Sequence, residues 1–302
     1  MRKLAHFLLL VVTLLCARPS LAGNDDISLV FVGDVMLADT PGKLIRAGKD
    51  PFIHFSDFLR DSDLTIGNLE CVISSKGKAQ DKPYTFRAPQ RALPLLKKYF
   101  SAVSLANNHS GDFGKAAFAD MLSLLRKHEI AYFGGGHYLR EAHQPLIREI
   151  KGKRIAVLAY DGFFPRSFEA LDESPGNAWL DEDYVVHGIR NAKEKLGADF
   201  VIVYPHWGWE YQKLASARQQ QMARLMIDSG ADAVIGGHPH VTQNIEIYKD
   251  KPIFYSLGNF VFDGFNDEDT RTGWALRLIL SADGRLDWKI REARIDRLGL
   301  PH

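Results

Sequence analysis

Cysteine is almost absent from this 302-residue chain, with only Cys16 and Cys71 present. Cys16 lies inside an N-terminal apolar run that reads as a removable leader, which leaves Cys71 alone. A single thiol excludes an intramolecular disulfide, even though the leader points to an oxidising destination. Beside Glu70 it reads as a small buried apolar group rather than a nucleophile. Charge of one sign is equally scarce. The whole chain carries 38 basic and 37 acidic residues, and without Arg2, Lys3 and Arg18 the balance becomes 35 against 37, a formal charge of −2. No basic excess supports a nucleic-acid partner. Internal repeats, heptads and low-complexity linkers are also lacking, so the roughly 280 residues after the leader read as one large domain, 23–302.

The leader itself has a recognisable build. Met1-Arg-Lys gives a basic start, an apolar core runs from Phe7 to Cys16, and Ser20-Leu-Ala22 places small residues before a cut at Gly23. That is a secretory signal-peptide pattern over residues 1–22, and it implies a secreted or periplasmic protein. The core falls well short of the roughly 18 residues that span a bilayer. An uncleaved signal anchor is the second reading. Cys16 lacks a small residue just before it, which disfavours a lipoprotein signal.

The most informative stretch is Ala231-Asp-Ala-Val-Ile-Gly-Gly-His-Pro-His240. A buried strand there delivers His238 and His240 at its C-terminal tip, and in extended chain residues i and i+2 point to one side. Neutral imidazole suits zinc and other first-row ions. Other apolar runs end alike. Ile27–Gly33 ends in Asp34, Leu64–Asn68 in Glu70, Phe100–Ala106 in Asn107-Asn108-His109, and Phe200–Pro205 in His206. These β-branched runs read as strands of a parallel sheet covered by helices at 51–60, 113–127, 182–195 and 215–228. In such sheets the ligand site lies beyond the carboxyl ends of the strands. Past Thr242, paired runs around Lys249-Asp250-Lys251 and Ala282-Asp283-Gly284 predict antiparallel hairpins at the C-terminal end.

Each tip residue has an ordinary reading by itself. Asp34 suits a turn or a helix cap, Asn107 and Asn108 suit a turn, Glu70 a surface position, and His206 a hydrogen-bonded histidine beside Trp207. Together these readings need several coincidences at one end of one sheet, and a metal site is the better account. Asp161 ends another run, with a turn role and a cleft role equally open. Glu210 either orients a ligand ring or is an exposed helix-start acid, and Asn68, Asn107 and Asn259 are candidates for orienting the ligands. His54, His128, His137, His143 and His187 read as surface or capping residues. Two polar stretches, Gly162–Asn177 and Lys76–Lys82, read as loops, the first close to the site.

The ordered motifs Gly33-Asp-Val-Met36, Asn68-Leu-Glu70, Ala106-Asn-Asn-His-Ser110 with Asp112 and Gly114, His206-Trp-Gly-Trp-Glu210, Gly236-Gly-His-Pro-His240 and Tyr255-Ser-Leu-Gly-Asn-Phe260 resemble the CapA family. That family is named for poly-γ-glutamate capsule synthesis and lies within the metallophosphoesterase-like superfamily. The resemblance runs from about Leu29 to Asp263. It implies a four-layer α/β/β/α sandwich and one or two divalent ions, Mn, Zn or Fe. It also implies Glu70 as a bridging ligand, Asn108, His206 and His238 at one position, Asp34 and His240 at the other, and His109 as the catalytic proton donor. Met36 stands where a ligand histidine is usual, and a thioether is a poor substitute. Gly237 replaces a further histidine of many relatives. The resemblance implies capsule or envelope polymer biosynthesis. Two readings stay open: a hydrolase of a phosphoester or of an amide in an anionic polymer, or a non-catalytic accessory gripping such a polymer. A membrane-bound polymer synthase is the expected partner in either case.

Overall fold

A computed structural model describes residues 25–302, so the leader expected at 1–22 lies outside the described residues. The strand Ile27–Val35 organises the first sheet. Its largely apolar sequence is buried on both faces from Leu29 onward, as a central strand requires. It pairs in parallel with Leu64–Leu69, which leads on to Ala102–Ser104 and Ala131–Phe133, also parallel. On its other side it changes partner along its length. Residues 27–32 pair antiparallel with Thr272–Leu280, and Asp34 and Val35 pair in parallel with Asn259–Val261. Glycine permits this switch, because a Cβ on Gly33 would lie 1.9 Å from the Gly258 carbonyl oxygen.

The second sheet orders its strands as Ile245–Tyr248, Lys251–Phe254, Ala233–Ile235, Phe200–His206, Lys153–Asp161 and Leu146–Ile150. Its four middle strands are parallel and its two outer pairs antiparallel. Leu29, Phe31, Ile66, Val157, Ile202, Ile235 and Phe254 form one apolar layer between the two sheets. Helices Asp39–Arg46, Leu93–Tyr99 and Gly114–Lys127 cover the outer face of the first sheet. Glu182–Arg190 and Ala217–Asp228 cover that of the second. The result is the four-layer α/β/β/α sandwich. Each fully buried Val, Leu or Ile contributes about 1.5–3 kcal/mol of transfer free energy.

The expected hairpins are present as Ile245–Tyr248 with Lys251–Phe254 and Thr272–Leu280 with Leu286–Arg294. The helix read at 215–228 starts at Ala217, because Ser216 and Gln219 form a reciprocal capping box. That read at 182–195 is α-helical to Arg190 and continues as a π-turn over Asn191–Lys195. The run at 51–60 splits into a 3-10 turn, Ile53–Phe55, and a short helix, Ser56–Arg60. Only Ala102–Ser104 of the 100–106 run is strand. Among the described residues no helix is long and apolar enough to cross a membrane.

Candidate metal centre

Strand register brings the first donors together. Asp34 stands directly beside Asn68 on one side and Asn259 on the other. Asn68 donates from Nδ2 to Asp34 Oδ1 at 2.9 Å, and the same amide lies 3.2 Å from His206 Nδ1. Glu70 follows one residue after its strand. Asn107 braces the crossing by donating to Asn68 Oδ1 and to the Leu69 carbonyl, and it accepts the backbone N–H of His109. His206 ends a strand of the second sheet and bridges to Gly237. The centre therefore spans the open end of the seam between the sheets.

His238 and His240 arrive by a route that strand alternation does not provide. Their strand ends at Ile235. Both residues then adopt left-handed backbone, with φ of 96° and 58°. The rings converge, centroids 5.9 Å apart, through a turn rather than through extended chain. Backbone of this kind in a non-glycine residue persists only where its surroundings hold it. Here the His238 N–H donates to Asp34 Oδ2 at 3.2 Å, and Gly237 opens the way, because a Cβ there would lie 2.9 Å from Asp34 Oδ1.

All seven expected residues, Asp34, Glu70, Asn108, His109, His206, His238 and His240, meet at this point. Glu70 Oε1 is buried without a hydrogen-bond partner. It lies 3.9 Å from His109 Nε2, 3.8 Å from His206 Nε2 and 3.9 Å from His240 Nε2. Those separations are too long for hydrogen bonds and suit donors arranged about a shared cation. Asn108 Oδ1, His206 Nε2 and His238 Nδ1 form a tighter group, 2.9 and 3.2 Å apart along the chain of contacts. Donors held at about 2.0–2.2 Å from one ion stand roughly this far from each other. Ligand atoms of Asp34, Glu70 and His206 all fall within 4.8 Å of one another. The buried oxygen and imidazoles fit a divalent cation.

Neighbouring groups fix the ring tautomers. Asn259 donates from Nδ2 to the His240 and Thr270 carbonyls, so its Oδ1 accepts from His240 Nδ1 at 2.9 Å and Nε2 is left bare toward Glu70. His109 Nδ1 lies 2.9 Å from Asp112 Oδ2, and Asp112 also accepts the Phe86 N–H and pairs with Lys82. Asp112 was legible only as part of a motif, yet its spacing three residues after His109 is the signal that could have marked it as the orienting carboxylate. Met36 is buried in the helix-side core, with its sulfur accepting the Ala38 N–H at 3.1 Å.

Burial sets the electrostatics. It pushes the His206 and His238 imidazoles well below their ordinary value, and neighbouring imidazoles add to the effect. It lowers His109 too, against the pull of Asp112. Burial raises Asp34. Glu70 is pushed well above the usual carboxylate range by burial first and by the Asp34 charge second. Neutral imidazoles beside crowded carboxylates are what a cation requires of its ligands. Burial also pushes the Cys71 thiol up to about 12, in keeping with an inert apolar group.

A cavity of about 680 Å³ opens beside the centre, and Asn108, His109, Asp161, Phe163, Lys82 and Glu210 are among its lining residues. Asp161, for which a turn and a cleft role were both open, is thus in the cleft. Asn177 and the Phe163 N–H hold it there, and burial pushes its carboxyl up to about 7. Glu210 is exposed at the rim. The 162–177 loop does border the site, with Phe163 packed on His238 at 4.2 Å. His143, read as a surface or capping residue, is instead half-buried between Tyr184 and Tyr160 with neither ring nitrogen bonded.

Residues 28–264 match the family described as bacterial capsule synthesis protein PGA_cap. The capsule biosynthesis protein CapA of Bacillus anthracis is 34% identical over 249 residues, covering 80% of this chain and 61% of that protein. The PGA biosynthesis protein CapA of Bacillus subtilis (strain 168) is 35% identical over 246 residues, covering 80% of this chain and 64% of that one. The chain thus spans less than two thirds of the length of either relative. Among solved structures, a 5'-nucleotidase precursor from Thermus thermophilus superposes with a TM-score of 0.55 at 13% identity, over 91% of this chain and 56% of that one. At that identity the likeness is one of fold.

Proposed function

Since the chain belongs to the bacterial capsule synthesis protein PGA_cap family, we propose that it is an exported metal-dependent hydrolase acting in capsule or envelope polymer biosynthesis. The observation that carries this reading is the buried, partnerless Glu70 Oε1 within 3.9 Å of three imidazole nitrogens, with His109 backed by Asp112. Asn108, His206, His238 and Glu70 would hold one cation, and Asp34 and His240 with the shared Glu70 a second. A divalent ion supplies Lewis-acid polarisation of a phosphoryl or acyl oxygen and a nucleophile at neutral pH. The remaining chemistry belongs to the chain. Asp112 fixes the His109 ring through Nδ1 and stabilises its charged form. His109 then carries a proton on Nε2 for the departing oxygen or nitrogen. Phe86 packs on the His109 ring and Phe163 on that of His238, giving each imidazole an apolar neighbour.

Substrate candidates are a phosphoester and an amide within an anionic polymer such as poly-γ-glutamate, delivered by a membrane-bound synthase. The sequestered Met36 sulfur favours a second reading, a non-catalytic accessory that grips polymer through its metal, because the second position then has few protein donors. Purified protein starting at Gly23 should contain a divalent metal by elemental analysis. It should turn over a generic phosphoester or a γ-glutamyl polymer once loaded. Metal-dependent binding of the polymer with no turnover of either substrate would replace the hydrolase with the accessory. Intact mass of protein recovered outside the cytoplasm tests export, and a chain still beginning at Met1 would favour the anchor.

A further inference from the structure

The cavity beside the metal centre has the wrong charge for a polyanion. Its walls carry the exposed carboxylates of Asp81 and Glu210, with Asp161 buried beside them, and among the described residues the one lining lysine or arginine is Lys82. Lys82 is already committed, because it pairs with Asp112 and donates to the Asn108 carbonyl at 3.0 Å. Two further cations stand close by, and both are engaged. Lys115 donates to the Glu169 and Pro175 carbonyls, and Arg166 is paired with Glu169. Among the described residues, then, no free cation lines the cavity to meet a carboxylate or phosphate away from the metal.

The apolar part of the wall is aromatic. Tyr84 is 70% exposed at the mouth, and Phe163 separates the cavity from the buried ring of His238. The Nε2 of His238 is buried and unpaired, as is Glu70 Oε1. Those two atoms belong to the metal centre behind the cavity, whose own walls combine the aromatic rings of Tyr84, Phe163 and Phe168 with carboxylates. Aromatic faces beside carboxylates attract a desolvated ammonium, a pairing used for primary amines and quaternary ammonium groups alike.

We propose that this cavity receives a positively charged amino group, carried by a substrate whose anionic or acyl end lies at the metal centre. This deepens the hydrolase reading and rests on it for the placement of the reacting end. The substrate class is an amine-bearing phosphoester or an amide next to a free ammonium, such as the amino terminus of a polymer chain. Of the polymer amides proposed above, this selects those at a chain's amino-terminal end over those in its interior.

The test is a calorimetric comparison on Mn2+-loaded protein between choline phosphate and its uncharged isostere, 3,3-dimethylbutyl phosphate. Choline phosphate should bind about tenfold tighter, the scale of one desolvated cation–π or ion contact. The preference should shrink severalfold in the Glu210→Gln, Asp81→Asn double variant, while the isostere binds that variant as it binds wild type. Equal affinities, a preference for the isostere, or no binding of either at millimolar concentration overturns the proposal. A preference unchanged in the double variant overturns the assignment of those carboxylates, and with it the proposal. Binding reports on the cavity and hydrolysis on the centre. A retained preference without turnover therefore sinks the hydrolase alone, and equal affinity with turnover sinks the ammonium site alone.

Discussion

Gly237 faces Asp34 so closely that a methyl group at Gly237 would stand 2.9 Å from the aspartate Oδ1. The contact is ordinary for a bare Cα and too tight for any side chain. Gly237→Ala is therefore expected to displace the Asp34 carboxylate and weaken metal binding by about ten- to hundredfold, the scale for disturbed ligand support. Calorimetric titration of metal-free variant and wild type checks this. Unchanged affinity would show that Asp34 contributes little to binding.

His109→Ala should lower turnover by about a hundredfold or more and leave metal content nearly intact, because the lost group is a proton donor. Asp112→Asn should lower turnover less, and should shift the basic limb of the pH–rate profile to lower pH, because the ring loses the carboxylate that stabilises its charged form. Loss of metal together with activity in His109→Ala would reassign His109 as a ligand, a role its 3.9 Å approach to Glu70 Oε1 permits.

The two metal positions should bind unequally. Asn108, His206, His238 and Glu70 give one position four protein donors, whereas the other draws on Asp34, His240 and the shared Glu70. The Met36 sulfur is occupied by the Ala38 N–H. Titration at micromolar metal should show one strong event and one weak event of incomplete occupancy. Two equally tight events would contradict this division of the ligands.

His143 supplies a pH dependence independent of the metal. Burial pushes its imidazole down to about 4 from an ordinary 6.5, and neither nitrogen has a partner. The folded protein keeps the ring neutral where the unfolded chain protonates it. Its contribution is complete above about pH 6.5 and is lost as pH falls from there toward about 4. Between about pH 6.5 and pH 5 this amounts to at most about 2 kcal/mol. The urea midpoint of wild type should fall more than that of His143→Phe between about pH 7 and pH 5. Parallel falls would assign the acid sensitivity to other groups.

Much of the fold was legible, and the reason is local. Central strands such as Ile27–Val35, Lys153–Asp161 and Phe200–His206 carry apolar runs buried on both faces, a pattern easily read from sequence. The strand Leu146–Ile150 escapes a sequence reading, since an outer strand that is mostly half-exposed has little pattern. Helix Asp39–Arg46 is hidden by Thr40-Pro41-Gly42, which reads as a turn although Pro41 sits in the first turn of the helix, where proline is tolerated. At the site, the strand tips pointed to the residues that the fold brings together. How His238 and His240 converge depends on left-handed backbone supported by Asp34 from the other sheet, a contact between residues 204 apart in sequence. His143 was misplaced for a similar reason: its neighbours Tyr160 and Tyr184 are distant in sequence.

The candidate ligands are divided between the two sheets. Asp34 lies at the end of a strand of the first and Glu70 and Asn108 follow its strands, while His206 ends a strand of the second and His238 and His240 follow another. The sheets otherwise meet mainly through an apolar layer, crossed by a hydrogen bond from the Tyr204 hydroxyl to the Val32 carbonyl, and such a layer resists separation more than it resists slippage. An ion joining both sides acts as a rivet through two plates. It recognises only one offset between them, because sliding by about 1 Å would carry donors outside the narrow range of ligand distances. Metal binding should therefore narrow the spread of inter-sheet offsets as well as raise the melting temperature. Amide exchange would show it as slower opening along Ile27–Val35 and Phe200–His206 together, two strands that share no backbone hydrogen bond.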